Sequence, residues 1–287
     1  MPLESTPTIR RVVTVVVLAG TTTGCAAASS RHVTSHLECP ALQVPAQLAR
    51  SGEVIMVGEL HGTEQAPRFV GDLARALARR GLPVTVALEL PVELSDRLQR
   101  LATAPAGQTN TVDWQAVFSA AWQDGRRSTA IAELVERVAA MRRAGANVGL
   151  ASYAPDSAPT AQERDTGMGR AIAALAVAQR SIIVLSGNLH NRLRVGTAIS
   201  RDYRPAAVTL ASLVDPKRIV SLDMAYEAGT AWICTGSAPA DCGVRKVGPR
   251  NPLAWGDVRL FDSTDVNGYQ GRFGVGAVTA ALPAAAK

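Results

Sequence analysis

The chain is 287 residues long, 47% hydrophobic but only 4% aromatic, and carries a formal charge of +6. Length and apolar content together allow a full buried core and exclude a disordered chain. So few rings leave Val, Leu, Ile and Ala to fill that core, which suits a parallel sheet covered by helices. The cationic residues are scattered and not run together, which argues against a nucleic-acid-binding face.

Arg10 and Arg11 precede an apolar run over residues 12–19 that is too short to span a bilayer, so residues 1–24 read as an export signal. The run closes on Thr22-Thr23-Gly24-Cys25, which resembles a bacterial lipobox whose Cys becomes the lipidated first residue. Plain signal-peptidase cleavage near the same place is the alternative. Residues 25–45 contain AAASS and a polar stretch, a composition suited to a tether. The expected location is therefore the cell envelope, anchored to the membrane through Cys25, or else the periplasm or the medium. In such an oxidising compartment Cys234 and Cys242, which enclose TGSAPAD, suit a local hairpin disulfide and leave Cys39 over.

The folded domain is expected over residues 46–280. A β-branched run at 54–57, closed by Gly58, predicts a buried strand. Pro67 opens a helix with Phe69, Val70, Leu73 and Leu77 on one face, ended by Arg79-Arg80-Gly81. Residues 84–88 form the next strand and complete a parallel βαβ unit. Residues 94–101 read as a helix and APAGQTNT as a loop, while Trp114, Val117 and Trp122 suggest a helical insertion. Ile131, Leu134, Val135, Val138 and Met141 line one face of a further helix, and a third strand follows at 148–152. A long helix over 163–179 leads to a fourth strand at 182–186. Residues 219–224 and 231–234 are late strands, expected at a mixed or antiparallel edge, and the ending AALPAAAK is expected to fray. The sum is an α/β fold: a mostly parallel central sheet with helices on both faces, a helical insertion and a C-terminal edge hairpin.

In such a sheet functional groups gather beyond the carboxyl ends of the strands. There the chain places Glu59 and His61, then Glu89, then Tyr153 and Asp156, then Asn188 and His190. The chain has four histidines, and since His32 and His36 fall in the tether, His61 and His190 are those of the domain. Each closes a G-x-L-H loop directly after a strand, GELH at 58–61 and GNLH at 187–190. An imidazole beside carboxylates can act as a base, fix a tautomer or hold a metal, and spacing does not choose among these. Burial of Glu89 in VALELP should raise its pKa into a range useful for proton transfer, unless an arginine pairs with it. Arg164 and Asp165, in ERDTGM, open the long helix. There the guanidinium and backbone amides could face an anion, or simply follow ordinary helix N-terminal charge placement. The chain has no G-x-S-x-G, Walker A, HExxH or strand-linked G-x-G-x-x-G, which argues against serine-hydrolase, P-loop and Rossmann chemistry.

VGELHGTEQAP, VALELP, ERDTGM and SGNLHNR, in that order over residues 54–192, resemble the superfamily that joins erythromycin esterases, Tiki/TraB proteins and ChaN-type haem-binding lipoproteins. Likeness to the esterases implies a hydrolytic set of His61, Glu89 and His190, with Glu59 supporting His61, Arg164 as the superfamily arginine and Asp165 as the acid after it. Likeness to Tiki proteins implies a metal-dependent protease in which His61, His190, Glu59 and Glu89 ligate a divalent transition metal. Likeness to ChaN implies a haem-binding lipoprotein for iron uptake that catalyses nothing, with a Tyr or His axial ligand, Tyr153 and Tyr203 among the candidates, and Asn188 beside the cofactor. The leading expectation is a water-activating hydrolase of a small-molecule ester or a peptide. In it His61 is base or metal ligand, Glu89 its acid/base partner, His190 a second ligand or electrophile, and Arg164 an anion holder. All of this requires two histidines 129 positions apart to face one cleft.

Overall fold

The structure is a computed structural model, and the residues it describes are 42–284 except 109, 120–123, 198–199 and 237. The export signal, Cys25, Cys39 and most of the tether lie outside the described residues, as does Trp122. Val44, at the end of the expected tether, already packs into the core.

The expected strands form with small changes of length. They are β1 (Val54–Glu59), β2 (Val84–Pro91), β3 (Val148–Ala154), β4 (Ser181–Gly187) and β5 (Ile219–Ala225). Two short strands follow late in the chain, β8 (Val258–Leu260) and β9 (Gly271–Gly274), and the sheet order is β3-β2-β4-β1-β5-β9-β8. All its pairings are parallel except the outermost, β8 with β9.

Alternate residues of β1 feed the two faces, because successive side chains of a strand point to opposite sides. Ile55 and Val57 join a core with Phe69, Leu73 and Leu77 of α1 (Gln65–Arg79), Leu98 of α2 (Ser95–Thr103) and Leu134 and Val138 of α4 (Thr129–Arg143). Val54 and Met56 meet Met168 and Ile172 of α5 (Ala161–Leu175) and Leu210 of α6 (Ala206–Ala211) on the other. Both faces are therefore covered, which is why the strands read as apolar runs without alternation. The helical insertion appears as α3 (Thr111–Phe118), capped by the Asn110 side chain, which accepts from the Val112 and Asp113 amides. Among the described residues no helix is long and apolar enough to cross a membrane.

Several expectations are corrected. Residues 219–224 are not an edge: β5 is buried along its whole length and pairs with β1 in parallel. An apolar run cannot by itself tell a central strand from an edge one. The late hairpin, β6 (Gly229–Cys234) with β7 (Cys242–Val247), stands as its own two-stranded sheet, closed by the expected Cys234–Cys242 disulfide. The chain end does not fray over 280–284. Ala281 and Ala284 are buried and Ala280 bridges Thr63, because small side chains let the backbone lie close to the domain. α5 stops at Leu175, before Gln179, whose φ of 66° is incompatible with a continuing helix.

Phe69 and Phe273 pack ring on ring with centroids 4.6 Å apart, joining α1 to β9 at the far side of the sheet. Phe69→Ala should cost about 3–5 kcal/mol of stability. Urea denaturation of the two chains measures this, and a loss below about 1 kcal/mol would show that the face is not packed as described.

Candidate active site

β1 ends on Glu59, and the chain then turns sharply through His61 and Gly62. Gly62 has φ +73°, and a Cβ there would lie 2.2 Å from the Trp232 carbonyl oxygen, so glycine alone fits. Its own carbonyl accepts the amides of Trp232 and Ala281, both at 2.9 Å, which ties the His61 turn to the hairpin and to the chain end.

β4 lies beside β1 in register, Gly187 opposite Glu59, and delivers the second histidine to the same place. A Cβ on Gly187 would meet His61 Nε2 at 2.9 Å and His190 Cδ2 at 3.4 Å. The two imidazoles therefore flank one glycine, and residues 129 positions apart in the chain meet at one strand edge. Each ring is held on its Nδ1 side by a buried carboxylate. His61 Nδ1 is 2.8 Å from Glu59 Oε1, and His190 Nδ1 is 2.9 Å from Asp165 Oδ1. Asp165 also accepts the Tyr203 hydroxyl and the Ala206 amide.

Both Nε2 atoms turn toward Glu89, at 3.5 Å from His61 and 3.8 Å from His190. Glu89 is 6% exposed and surrounded by donors. Arg164 Nη2 reaches its Oε1 at 2.8 Å, Arg126 Nη1 the same oxygen at 3.3 Å, and the Gly187 amide its Oε2 at 2.8 Å.

The charge states follow from these contacts. Burial works to raise the Glu89 pKa, but the two imidazoles and the Arg126 guanidinium outweigh it and hold the carboxyl well below its usual range. Of the two outcomes the sequence left open, a raised value or pairing with an arginine, the structure shows the pairing, with Arg164 and Arg126. Burial would also lower the His61 pKa, yet the Glu89 charge and the hydrogen bonds to Glu59 and Glu89 raise it to about 10. Burial pushes Glu59 up.

The remaining sequence candidates are placed unevenly. Arg164 lies one turn into α5, where its guanidinium meets the protein's own Glu89, while the helix N-terminus is capped by Thr160, whose hydroxyl accepts the Glu163 amide at 3.1 Å. Tyr153 sits inside β3, fully buried, with its hydroxyl donating to the Leu185 carbonyl at 2.8 Å. It is closed to a cofactor, which corrects its candidacy. Tyr203 is engaged by Asp165. The Asn188 carbonyl accepts the Tyr269 hydroxyl, and Asp156 is exposed at the surface, outside the ion-pair cluster. Arg126, and Asp124 which grips it, were missed: they lie in the insertion, in no motif and after no strand. The clue available was DGRR, a glycine between charges.

No protein-family model and no curated protein sequence matches the chain. Solved structures do. A Bacillus cereus protein overlays 84% of this chain and 92% of its own at 9% identity, TM-score 0.55. A mutant of the erythromycin esterase EreC in its open conformation overlays 82% and 88% at 10% identity, TM-score 0.53. The fold is erythromycin-esterase-like. ChaN of Campylobacter jejuni, solved with cofacial haem, is more distant, covering 70% of this chain and 90% of its own at 11% identity, TM-score 0.39.

Within this erythromycin-esterase-like fold the donor set does not fit a resident metal ion. The Nδ1–carboxylate bonds leave both Nε2 atoms open to a ligand, but Glu89, the carboxylate that faces them, has its oxygens filled by two guanidinium groups and an amide. A cation between the Nε2 atoms would face those two arginines. Among the described residues no group of three or more His, Cys, Asp or Glu side chains is disposed to hold one. Nor is a candidate tyrosine free to ligate haem iron, since both hydroxyls are already donated.

His61 titrates near 10 in the fold and near 6.5 when unfolded, so its stabilisation is complete below about pH 6.5 and fades as pH rises toward 10. Glu89, lowered by folding, stabilises above about pH 4.5 and loses that contribution as pH falls. Unfolding measured from pH 5 to 10 should show stability declining on the alkaline side in the wild type and a flatter profile in Glu89→Gln. Parallel profiles would mean that Glu89 does not set the charge of His61.

Proposed function

We propose that the protein is a hydrolase that directs water onto an ester or peptide bond, with its two imidazoles dividing the proton transfers. The observation that carries the reading is the pair of carboxylate-held rings flanking Gly187, with both Nε2 atoms turned toward Glu89. Asp165 accepts the Nδ1–H of His190, which leaves the Nε2 lone pair of that ring to take a proton. His61, raised to about 10, is an imidazolium at neutral pH and is suited to donate one.

In the forward step the water oxygen bonds to the carbonyl carbon while its proton passes to His190 Nε2. The tetrahedral oxyanion then collapses, the bond to the leaving oxygen or nitrogen breaks, and that atom takes the proton of His61 Nε2. The sequence alone assigned His61 the part of base or metal ligand; the two glutamates around it favour the acid's. Glu89 stays ionised throughout and keeps His61 charged. No serine nucleophile is needed. The resemblance to the esterases and the fold shared with EreC support hydrolysis.

The same proposal places the protein in the cell envelope. Residues 1–24 carry the features of an export signal, Cys25 stands where a lipid would be attached, and the Cys234–Cys242 disulfide fits an oxidising compartment.

The full chain should hydrolyse members of a panel of carboxylic esters and peptides, and His190→Asn should lower kcat by about 10²–10⁴. Prolonged chelation should leave the rate unchanged. A rate abolished by chelator and restored by a divalent cation would overturn the metal-free reading. A saturable haemin Soret band with no hydrolysis of the panel would replace it with the haem-binding one.

A further inference from the structure

Arg126 comes from the insertion between β2 and β3 and is held against the His61 turn by an unusual backbone contact. Gly125, at φ +94°, lies so close to Gly62 that a Cβ on it would be 2.5 Å from the Gly62 nitrogen and 3.2 Å from the His61 carbonyl carbon. Only two glycines back to back permit this approach. The next residue is thereby committed to the cleft.

Its guanidinium is fixed from behind. Asp124 accepts Nε–H, at 2.8 Å from Oδ2 and 3.0 Å from Oδ1, and also an Nη2–H, a fork that sets the plane of the group. One Nη1–H reaches Glu89 at 3.3 Å, longer than the 2.8 Å contacts which that carboxylate receives from Arg164 and the Gly187 amide. A guanidinium has five N–H bonds, so two are left without a protein partner among the described residues. The side chain is 28% exposed, which opens it to the cleft. Arg164, by contrast, makes the shorter contact to Glu89, and anchoring that carboxylate is its task.

We infer that Arg126 is a further catalytic residue, whose two uncommitted N–H bonds receive the oxyanion formed when water adds to the substrate carbonyl. This rests on the hydrolase reading above. A guanidinium oriented before the reaction stabilises developing negative charge without reorganising, and Asp124 supplies that orientation. The insertion thereby contributes to the chemistry, and the substrate carbonyl lies on the side of the cleft where Gly125 meets Gly62.

The test uses the full chain, the ester of the panel turned over fastest, and the methylphosphonate monoester of the same alcohol as a tetrahedral anionic mimic. Arg126→Lys should lower kcat about 10²–10³-fold while KM changes by less than about threefold, and phosphonate inhibition should weaken by a factor similar to the loss in kcat. A residue that merely supported the fold would not weaken the mimic selectively. Asp124→Asn keeps the guanidinium but loosens its orientation, and should lower kcat about tenfold with KM unchanged. If thermal melting shows Arg126→Lys unfolded, Asp124→Asn decides, and an unchanged kcat there overturns the inference. An active wild type with Arg126→Lys retaining kcat and phosphonate affinity overturns it while leaving the hydrolase reading intact. A wild type that hydrolyses no ester or peptide overturns both.

Discussion

One carboxylate, Glu89, is the group to which the rest of the site is fastened. It ends a buried strand, and four side chains from four other parts of the chain converge on it: His61, His190, Arg164 and Arg126. Two of these are permanent cations and one is raised to a cation at neutral pH by the glutamates beside it. Without a buried anion between them they would repel one another at close range, and removing one partner of such a set typically costs about 3–5 kcal/mol. The charge on Glu89 thus assembles the site and sets the proton affinity of His61.

The backbone makes this convergence possible. Parallel pairing in register brings the ends of β1, β2 and β4 side by side, so residues far apart in the chain meet at one edge. Side chains there would collide if the turns were built from ordinary residues. Gly187 leaves room for both rings, Gly62 for the Trp232 carbonyl, and Gly125 for Gly62 itself. Around this edge the disulfide-closed hairpin and the packed chain end fasten to the Gly62 carbonyl and buttress the His61 turn.

The chemistry follows from which atoms are occupied and which are left. Both imidazoles have Nδ1 held by a carboxylate, so only Nε2 is available to a ligand or proton. Their surroundings differ: His61 lies between two glutamates, whereas His190 rests on an aspartate that also accepts a tyrosine hydroxyl and a backbone amide. Two rings with unequal carboxylate partners can serve as acid and base in one turnover.

How much of this could be read in the chain depends on the range of the physics involved. The strands at 54–57, 84–88, 148–152 and 182–186 were legible because doubly covered strands are continuous apolar runs, and the Cys234–Cys242 pair because its loop is short and local. His61 and His190 were legible because a strand end fixes where the next residues lie. The order of the strands, the central place of β5 and the burial of residues 280–284 were not, since they depend on which surfaces meet after folding. The ionisation of Glu89 stayed open for the same reason: its burial was written in VALELP, while Arg126, in a segment of no motif and no period, was brought to it only by the close packing of two glycines. The sequence by itself determined the α/β class, the two histidine loops and the disulfide, all set by local pattern. Tertiary structure alone decided the charge of the site and the second arginine, because Coulomb interactions depend on distances through space and not along the chain.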